Sequence, residues 1–168
     1  HDCLWVARLC ELNGRPLSTP VQERIAAAAM FVHQMLDPES GRVPNYGAND
    51  GALVLPLSAC DYVDYRPTVQ SAVYLSTGQC PLPCGPWDEM LLWLFGDTPS
   101  PLKGEGGGEG DSSQRRPLQV PRRHSAAFAT GGYFTLRGQR SWCMIRCHSY
   151  HDRPGHVDPL HVDLWADS

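Results

Sequence analysis

The stretch "RPGHVDPLHVDLW", residues 153–165, holds the side chains best suited to acid–base or metal chemistry. It places two of the chain's seven histidines, His156 and His161, each two residues before an aspartate, Asp158 and Asp163. Imidazole and carboxylate groups can exchange protons near neutral pH and can bind a divalent metal ion. The spacing is therefore compatible with a functional site, although a solvated strand face with a loop histidine beside it is the alternative explanation.

The end of this stretch has the alternation of a β-strand. Such a strand would place His161, Asp163 and Trp165 on one side of a sheet and the intervening apolar residues on the other. His156 and Asp158 precede it in a segment that contains two prolines and a glycine. A loop that leads into a strand is a common position for a site, because the sheet fixes the geometry of the loop.

The elements that must position these residues divide the chain into three parts. Helical spacing of apolar residues predicts four helices in 1–96, joined by short loops in a stacked helical-hairpin array. Three of the predicted helices span 2–12, 65–76 and 87–95. The remaining one, second in the chain, is predicted to begin with Thr19 as its N-cap and Gln22 in a capping box. The second helix is expected to bury one face, formed by Val21, Ile25, Ala28, Val32 and Met35.

The remaining sequence predicts a linker and then a small sheet. Residues 97–123 are rich in Gly, Pro, Ser and charge, so they are expected to form a disordered linker between two domains. Residues 124–168 contain a β-hairpin that turns at Gly138-Gln139 and a further strand at "LHVDLW", about three strands in all. The sequence therefore predicts an α+β fold with helices first and strands second.

Composition excludes some classes of partner. The chain has 14 Lys and Arg against 18 Asp and Glu, a formal charge of −4, and this balance argues against nucleic acid as the main partner. The longest apolar runs, "IAAAAMFV" and "MLLWLF", are shorter than the roughly 20 residues that a membrane-spanning helix needs.

Because the chain opens inside a helical pattern and closes just after a strand, we expect both ends to be cut.

Three motifs together resemble the heparinase II/III-like family of polysaccharide lyases. They are "VPNYGANDGALVLPLS" in the helical part, "FATGGYFTLRG" at the start of the β part, and "RPGHVDPLHVDLW". The resemblance implies an (α/α) toroid followed by an antiparallel β-sandwich, with an acidic polysaccharide bound between them. By this resemblance, 1–96 is the end of the toroid, 124–168 is the start of the sandwich, and the chain is a junction fragment.

The implied reaction is β-elimination at a uronic acid. The proton beside the uronate carboxylate is weakly acidic, so the site must neutralise the carboxylate and supply a base. In the family, the Tyr that acts as the base and its Asn or His partner lie earlier in the toroid, so we expect them upstream of His1. His156 matches a family position that contributes to the catalytic cleft and binds a metal ion, with Asp158 beside it. Arg153 is a candidate for the positive charge that binds the substrate.

The resemblance also bears on metal, location and partners. A divalent metal such as zinc is expected in the full-length protein, with further ligands after Ser168, and none is expected in this fragment alone. The parent protein would be periplasmic or secreted and would bind an acidic polysaccharide or oligosaccharide, without nucleic acid or membrane.

The loop at 44–51 is a second candidate for the sugar cleft. Its Asn45, Tyr46, Asn49 and Asp50 offer both stacking and hydrogen bonds to a sugar, whereas a structural turn that closes the toroid is the alternative.

Two other functions also remain open for the chain. One is a non-catalytic carbohydrate-binding protein of the same architecture, and the other is a small metal-binding module that uses the His and Cys residues.

Overall fold

Helices and strands occupy separate parts of the chain. The computed structural model describes residues 1–45, 51–96, 123–148 and 160–166. Within these ranges the fold is α+β, as predicted, with helices before an antiparallel four-stranded sheet. The chain divides into two compact units. The helical unit contains the described residues 1–42 and 53–96, and the sheet unit contains 43–45, 51–52, 123–148 and 160–166.

The helical unit has the helices that the apolar spacing predicts. They are α1 (Asp2–Leu12), α2 (Thr19–Met35), α3 (Arg66–Thr77) and α4 (Glu89–Phe95), and one 3-10 turn, Pro86–Asp88, leads into α4. Helices α3 and α4 end at Gly78 and Gly96, which adopt left-handed backbone conformations with φ of 69° and 66°. None of these described helices is both long enough and apolar enough to cross a membrane.

Helix α3 is the centre of the helical unit, because it packs against both α2 and α4. Val69, Ala72 and Val73 are among its buried residues and contribute to the apolar core. Across the interfaces, Ala29 of α2 and Leu91 of α4 are also buried, and Leu91 is 0% exposed. A core of this kind supplies most of the stability of helices as short as α4.

A buried polar network joins α3 to the turn before α4. Gln70 donates from Nε2 to Asp88 Oδ1 at 2.7 Å, and its Oε1 accepts the backbone N–H of Leu82 at 3.0 Å. The other Asp88 oxygen accepts the backbone N–H of Gly85 at 3.0 Å. Gln70 and Asp88 are both 0% exposed. These hydrogen bonds stabilise the two buried side chains, which would otherwise lose hydration without compensation.

An ion pair fixes the loop that precedes α3. Arg66 donates from Nε to Asp64 Oδ1 at 2.9 Å and from Nη2 to Asp64 Oδ2 at 2.8 Å. This hydrogen bonding to Asp64 is the main reason that the pKa of Arg66 is raised. The guanidinium also lies 4.2 Å from the Trp87 ring and donates to the carbonyl of Glu39 at 3.2 Å. One side chain therefore connects three separate segments of the helical unit.

The predicted start and inner face of α2 are wrong in detail. Ser18, not Thr19, is the N-cap, with extended backbone at ψ 151°, and its side chain makes no capping hydrogen bond. Gln22 donates instead to the carbonyl of Leu17 at 2.7 Å, so the expected capping box does not form. Of the predicted inner face, Met35 is buried and Ile25 and Val32 are half-buried, whereas Val21 and Ala28 are exposed. Ala29 and His33 are buried instead, so the buried face of α2 is shifted from the predicted one.

The sheet unit is an antiparallel meander with strand order β1-β2-β3-β4. Its strands are β1 (Ala126–Phe128), β2 (Tyr133–Arg137), β3 (Ser141–Arg146) and β4 (His161–Ala166). The predicted hairpin is β2–β3, and its turn is closed by a hydrogen bond from Gly138 N–H to the carbonyl of Ser141 at 2.8 Å. The short β1 strand is absent from the sequence prediction. Most of the predicted linker, 97–122, lies outside the described residues.

We predict that Gly41→Ala strongly destabilises the helical unit. Gly41 has φ of +76°, and an added Cβ would collide with the Asp64 carboxylate that binds Arg66. The free energy of unfolding should fall by about 2–4 kcal/mol, the cost of disturbing a part-buried ion pair together with left-handed strain. Equilibrium denaturation in urea measures this change.

Gly14→Ala is the matched control. Gly14 has φ of +65°, but a Cβ there would meet nothing within 4 Å among the described residues. It should cost only about 1–2 kcal/mol from backbone strain. Equal losses in the two variants would show that the contact with Asp64 contributes nothing.

Candidate functional site

Strand β4 separates polar from apolar side chains by alternation. His161, Asp163 and Trp165 are half-buried on one face, whereas Val162 and Leu164 are 59% and 71% exposed on the other. This is the alternation that the sequence predicts, but the more exposed face is the apolar one. Asp163 is the least expected of the three at this level of burial, because aspartate side chains are mostly exposed. This polar face is the candidate site.

Cross-strand pairing places a cation beside His161. Arg146 of β3 pairs with Tyr133 of β2 on one side and with His161 of β4 on the other. Side chains paired in this way have Cβ atoms about 4.5–5.5 Å apart on the same face. The Arg146 Cζ atom lies 5.7 Å from the centroid of the Tyr133 ring. We call these three residues the Arg146 row.

The next row connects the sheet to the loop at 43–45. Asp163 pairs with Met144, which pairs with Thr135, and both Met144 and Thr135 are 0% exposed. The Asp163 Oδ2 atom accepts the backbone N–H of Asn45 at 3.3 Å. Asn45, predicted from the sequence to line a sugar cleft, therefore lies at the same sheet face as His161 and Asp163.

The third row is aromatic. Trp142 of β3 and Trp165 of β4 form a cross-strand pair, with ring centroids 5.5 Å apart and planes inclined by 14°. The Arg137 Cζ atom lies 4.5 Å from the Trp142 ring centroid. Stacked aromatic pairs and cation–π contacts each add stability beyond the area that they bury. This row holds the strands of the site in register.

The Gly-Gly-Tyr motif has a structural reason. Gly132 has φ of +69°, and its carbonyl accepts the N–H of Cys147 at 2.7 Å. A Cβ at Gly132 would overlap the Cys147 carbonyl, so only glycine fits where β2 begins. Tyr133 follows immediately and enters the Arg146 row. The motif thus sets the position of Tyr133 opposite Arg146.

Several predicted site residues fall outside the described residues. They are Tyr46, Asn49, Asp50, Arg153, His156 and Asp158. Of the predicted substrate-binding residues, Asn45 is the one whose position is described. Sequence reasoning did not select Arg146 or Tyr133. The predicted two-residue turn at Gly138-Gln139 would have paired Tyr133 with Met144, whereas the observed register pairs Arg137 with Trp142 and Tyr133 with Arg146. No signal in the sequence alone therefore identified this pair.

No metal centre is formed by the described residues alone. They contain no group of three or more His, Cys, Asp or Glu side chains that could hold a metal ion. The predicted ligands His156 and Asp158 lie outside those residues. The prediction of a zinc site therefore stays a prediction.

The Cys60 thiol of the helical unit is not suited to nucleophilic chemistry. Burial raises the pKa of the Cys60 thiol, partly offset by a hydrogen bond with Ser58. Burial also raises the pKa of the nearby Tyr65 hydroxyl. A thiol with a raised pKa has little thiolate at neutral pH and is a poor nucleophile.

The helical unit contains a cavity of about 410 Å³ whose charge is opposite to that of the Arg146 row. It is lined by residues of α1, α2 and α3, among them Ile25 and Leu75, and by Leu17 of the segment between α1 and α2. Two carboxylates, Glu11 and Glu23, also line it. An anionic ligand would be repelled by these carboxylates, whereas the guanidinium of the Arg146 row would attract it.

The Arg146 row can bind an anion, and Asp163 can accept hydrogen bonds. A guanidinium presents a planar set of N–H donors that matches the two oxygens of a carboxylate. The Tyr133 hydroxyl and the His161 imidazole add groups that can donate or accept a proton.

No family model, curated protein or solved structure matches the chain.

We predict that Asp163→Ala releases the loop at Asn45. The variant removes the acceptor of the Asn45 N–H, so amide hydrogen exchange at Asn45 should become about two- to fivefold faster, equivalent to about 0.5–1 kcal/mol. Hydrogen exchange followed by NMR gives this rate for the single amide. Val162→Ala, on the opposite face of the same strand, should leave it unchanged. Unchanged exchange in Asp163→Ala would show that the contact does not hold the loop.

Proposed function

We propose that the chain belongs to a polysaccharide lyase, periplasmic or secreted, that cleaves a uronic-acid-containing polysaccharide by β-elimination. The observation that carries the proposal is the Arg146 row, in which a guanidinium lies between a tyrosine and a histidine on one sheet face. The contact of Asn45 with Asp163 on the same face supports it further. Together these residues supply groups for a sugar carboxylate and for sugar hydroxyls.

The chemistry of β-elimination explains why a cation is needed. Removing the proton beside a carboxylate places additional negative charge on the carboxylate oxygens as an enolate develops. A guanidinium aimed at those oxygens stabilises the transition state more than the ground state and so lowers the barrier. In the proposal, Arg146 binds the uronate carboxylate and His161 supports it from the neighbouring strand.

The resemblance assigns the remaining chemistry to other residues. The Tyr that removes the proton is expected upstream of His1, and His156 is proposed to contribute to catalysis, with Arg153 binding substrate. Asn45, Tyr46, Asn49 and Asp50 are proposed to contact the sugar. His156 and Asp158 are proposed ligands of a divalent metal, and the elimination step described for Arg146 does not depend on that metal.

The finer fold is also a proposal, namely a toroid followed by a sandwich. The central position of α3 between α2 and α4 supports stacked helical hairpins. In a sandwich, one face of the sheet must be apolar, because it packs against a second sheet. The face that carries Leu136, Val162 and Leu164 has this character, and all three are more than half exposed.

A non-catalytic carbohydrate-binding protein is the second candidate. The Arg146 row would bind a carboxylate whether or not a base acts on the substrate afterwards. Formation of an unsaturated uronate, which absorbs in the ultraviolet, separates the two functions. A protein that binds the oligosaccharide without producing this absorbance has the binding function alone.

We predict that Arg146→Gln weakens binding of a uronate oligosaccharide to this chain at least tenfold. A charge-assisted contact of this kind contributes about 1.5–3 kcal/mol, which corresponds to roughly a 10- to 100-fold change in Kd. His161→Ala should weaken binding less, because in the proposal His161 supports the Arg146 guanidinium and the guanidinium itself binds the carboxylate. Isothermal titration calorimetry with an oligouronate measures both variants.

Two controls make the result specific. Arg24→Gln removes an exposed cation of α2 and should leave the Kd unchanged. A neutral oligosaccharide of the same length should not bind, since it lacks the carboxylate. If Arg24→Gln and Arg146→Gln weaken binding equally, the Arg146 row is not the uronate site.

We also predict that His156→Ala in the complete gene product lowers β-elimination by at least about a hundredfold. One preorganised electrostatic contact can supply several kcal/mol at a transition state. His161→Ala should cost far less. Absorbance of the unsaturated product from a panel of acidic polysaccharides is the readout. Wild-type activity in His156→Ala, or a greater loss in His161→Ala, would contradict the assignment of His156.

A further inference from the structure

The cavity among α1, α2 and α3 combines apolar walls with acidic side chains. Its volume of about 410 Å³ falls within the range of roughly 300–1,000 Å³ that is common for small-molecule sites. Its apolar lining residues are Ala7, Pro16, Leu17, Ile25, Ala26 and Leu75. Among the described residues that line it, none is basic. We call it the Glu23 cavity, after the carboxylate discussed next.

Two carboxylates give the Glu23 cavity a negative charge. Glu11 of α1 is paired with Arg8, whose Nη1 lies 2.7 Å from the Glu11 Oε2 atom. Glu23 of α2, by contrast, forms no ion pair with any residue that the structure describes. A carboxylate without a cationic partner, placed beside apolar walls, attracts a cation more strongly than the same group surrounded by water.

Helix ends add to this negative charge. Glu11 lies in the last turn of α1, and Leu75 and Ser76 lie in the last turn of α3. A helix C-terminus carries roughly half a negative elementary charge, and neither of these last turns contains a basic residue. The N-terminus of α2 also borders the cavity and opposes one of the two C-termini. The net contribution of the three helices is therefore negative.

Two neutral polar residues of the lining already use donors on the backbone. Ser76 donates its one O–H to the carbonyl of Ala72 at 2.9 Å, so its oxygen can only accept a hydrogen bond from a ligand. Gln22 donates from Nε2 to the carbonyl of Leu17 at 2.7 Å, which fixes the segment between α1 and α2 against the start of α2. With the two carboxylates, the cavity therefore offers mainly acceptors, and an alkylammonium group has three N–H donors and no acceptor.

We propose that the Glu23 cavity binds a small organic ammonium ion, a primary amine that carries an apolar chain. The ammonium group binds the Glu23 carboxylate, and the chain is buried against the apolar walls that include Ile25 and Leu75. This inference is independent of the proposed uronate site, because the cavity lies in the helical unit and takes a ligand of the opposite charge.

NMR titration of the whole labelled chain with hexylammonium chloride, at constant ionic strength, tests the proposal. We expect saturable shifts at residues that line the cavity. Hexanol, which keeps the chain but lacks the charge, should bind at least threefold more weakly, and hexanoate more weakly still. Butylammonium should also bind at least about threefold more weakly than hexylammonium, because each buried CH₂ group adds to the affinity.

Two pairs of variants separate the charge from the walls. Glu23→Gln should raise the Kd at least about threefold, the modest effect of an exposed ion pair, whereas Glu39→Gln, an exposed carboxylate outside the lining, should leave it unchanged. Ala26→Leu places a larger side chain at the cavity wall and should raise the Kd at least tenfold. Ala27→Leu, one residue on and outside the lining, should change the Kd less than twofold.

A further arm identifies the source of the amine, since a lysine side chain presents the same group as butylammonium. Tighter binding of Nα-acetyl-lysine methylamide than of butylammonium would identify a lysine of a peptide, and equal or weaker binding would identify a free amine. The proposal is overturned if hexylammonium shows no saturable shifts, if hexanol or hexanoate binds equally well, or if either control variant weakens binding as much as its partner. Because Glu23 is exposed, its glutamine variant tests the proposal even if Ala26→Leu does not fold.

Discussion

The pairing of β3 with β4 is the constraint on which the proposed chemistry depends. Stacking of Trp142 on Trp165 fixes this register at one end of the strands, and the pairing of Arg146 with His161 follows at the other. Because side chains alternate along a strand, a shift of one residue would move His161 and Asp163 to the face that now carries Leu164. The aromatic pair therefore determines which groups Arg146 meets.

The polar contacts of the helical unit have a different role, since they hold its structure. The Asp64–Arg66 pair connects the loop after α2 to the start of α3, and the Gln70–Asp88 network connects α3 to α4. Each charged or amide group in these sets, whether part-buried or fully buried, has hydrogen-bond partners that offset its lost hydration. These four residues thus stabilise the fold of the helical unit, whereas Arg146 and Asp163 of the sheet unit lie on the strand face of the proposed site.

The sequence predicted the elements better than the contacts among them. Alternation in β4 and the glycines that end α3 and α4 are local signals, and the structure agrees with them. The inner face of α2 could not be chosen reliably, because four consecutive alanines at 26–29 give almost no apolar contrast and packing against α3 selects Ala29. The partnership of Arg146 with Tyr133 and His161 depends on pairing across three strands, which no local pattern specifies. Asn45 was selected for its residue type, and its contact with Asp163 joins residues 118 positions apart.

NMR titration of the labelled chain with a short oligouronate tests the central claim most directly, because it locates the ligand without relying on any substitution. The account predicts that the largest shifts fall on the side-chain resonances of Tyr133, Arg146 and His161 and on the amide of Asn45. Shifts confined to the cavity among α1, α2 and α3, or no saturable shifts at all, would contradict it.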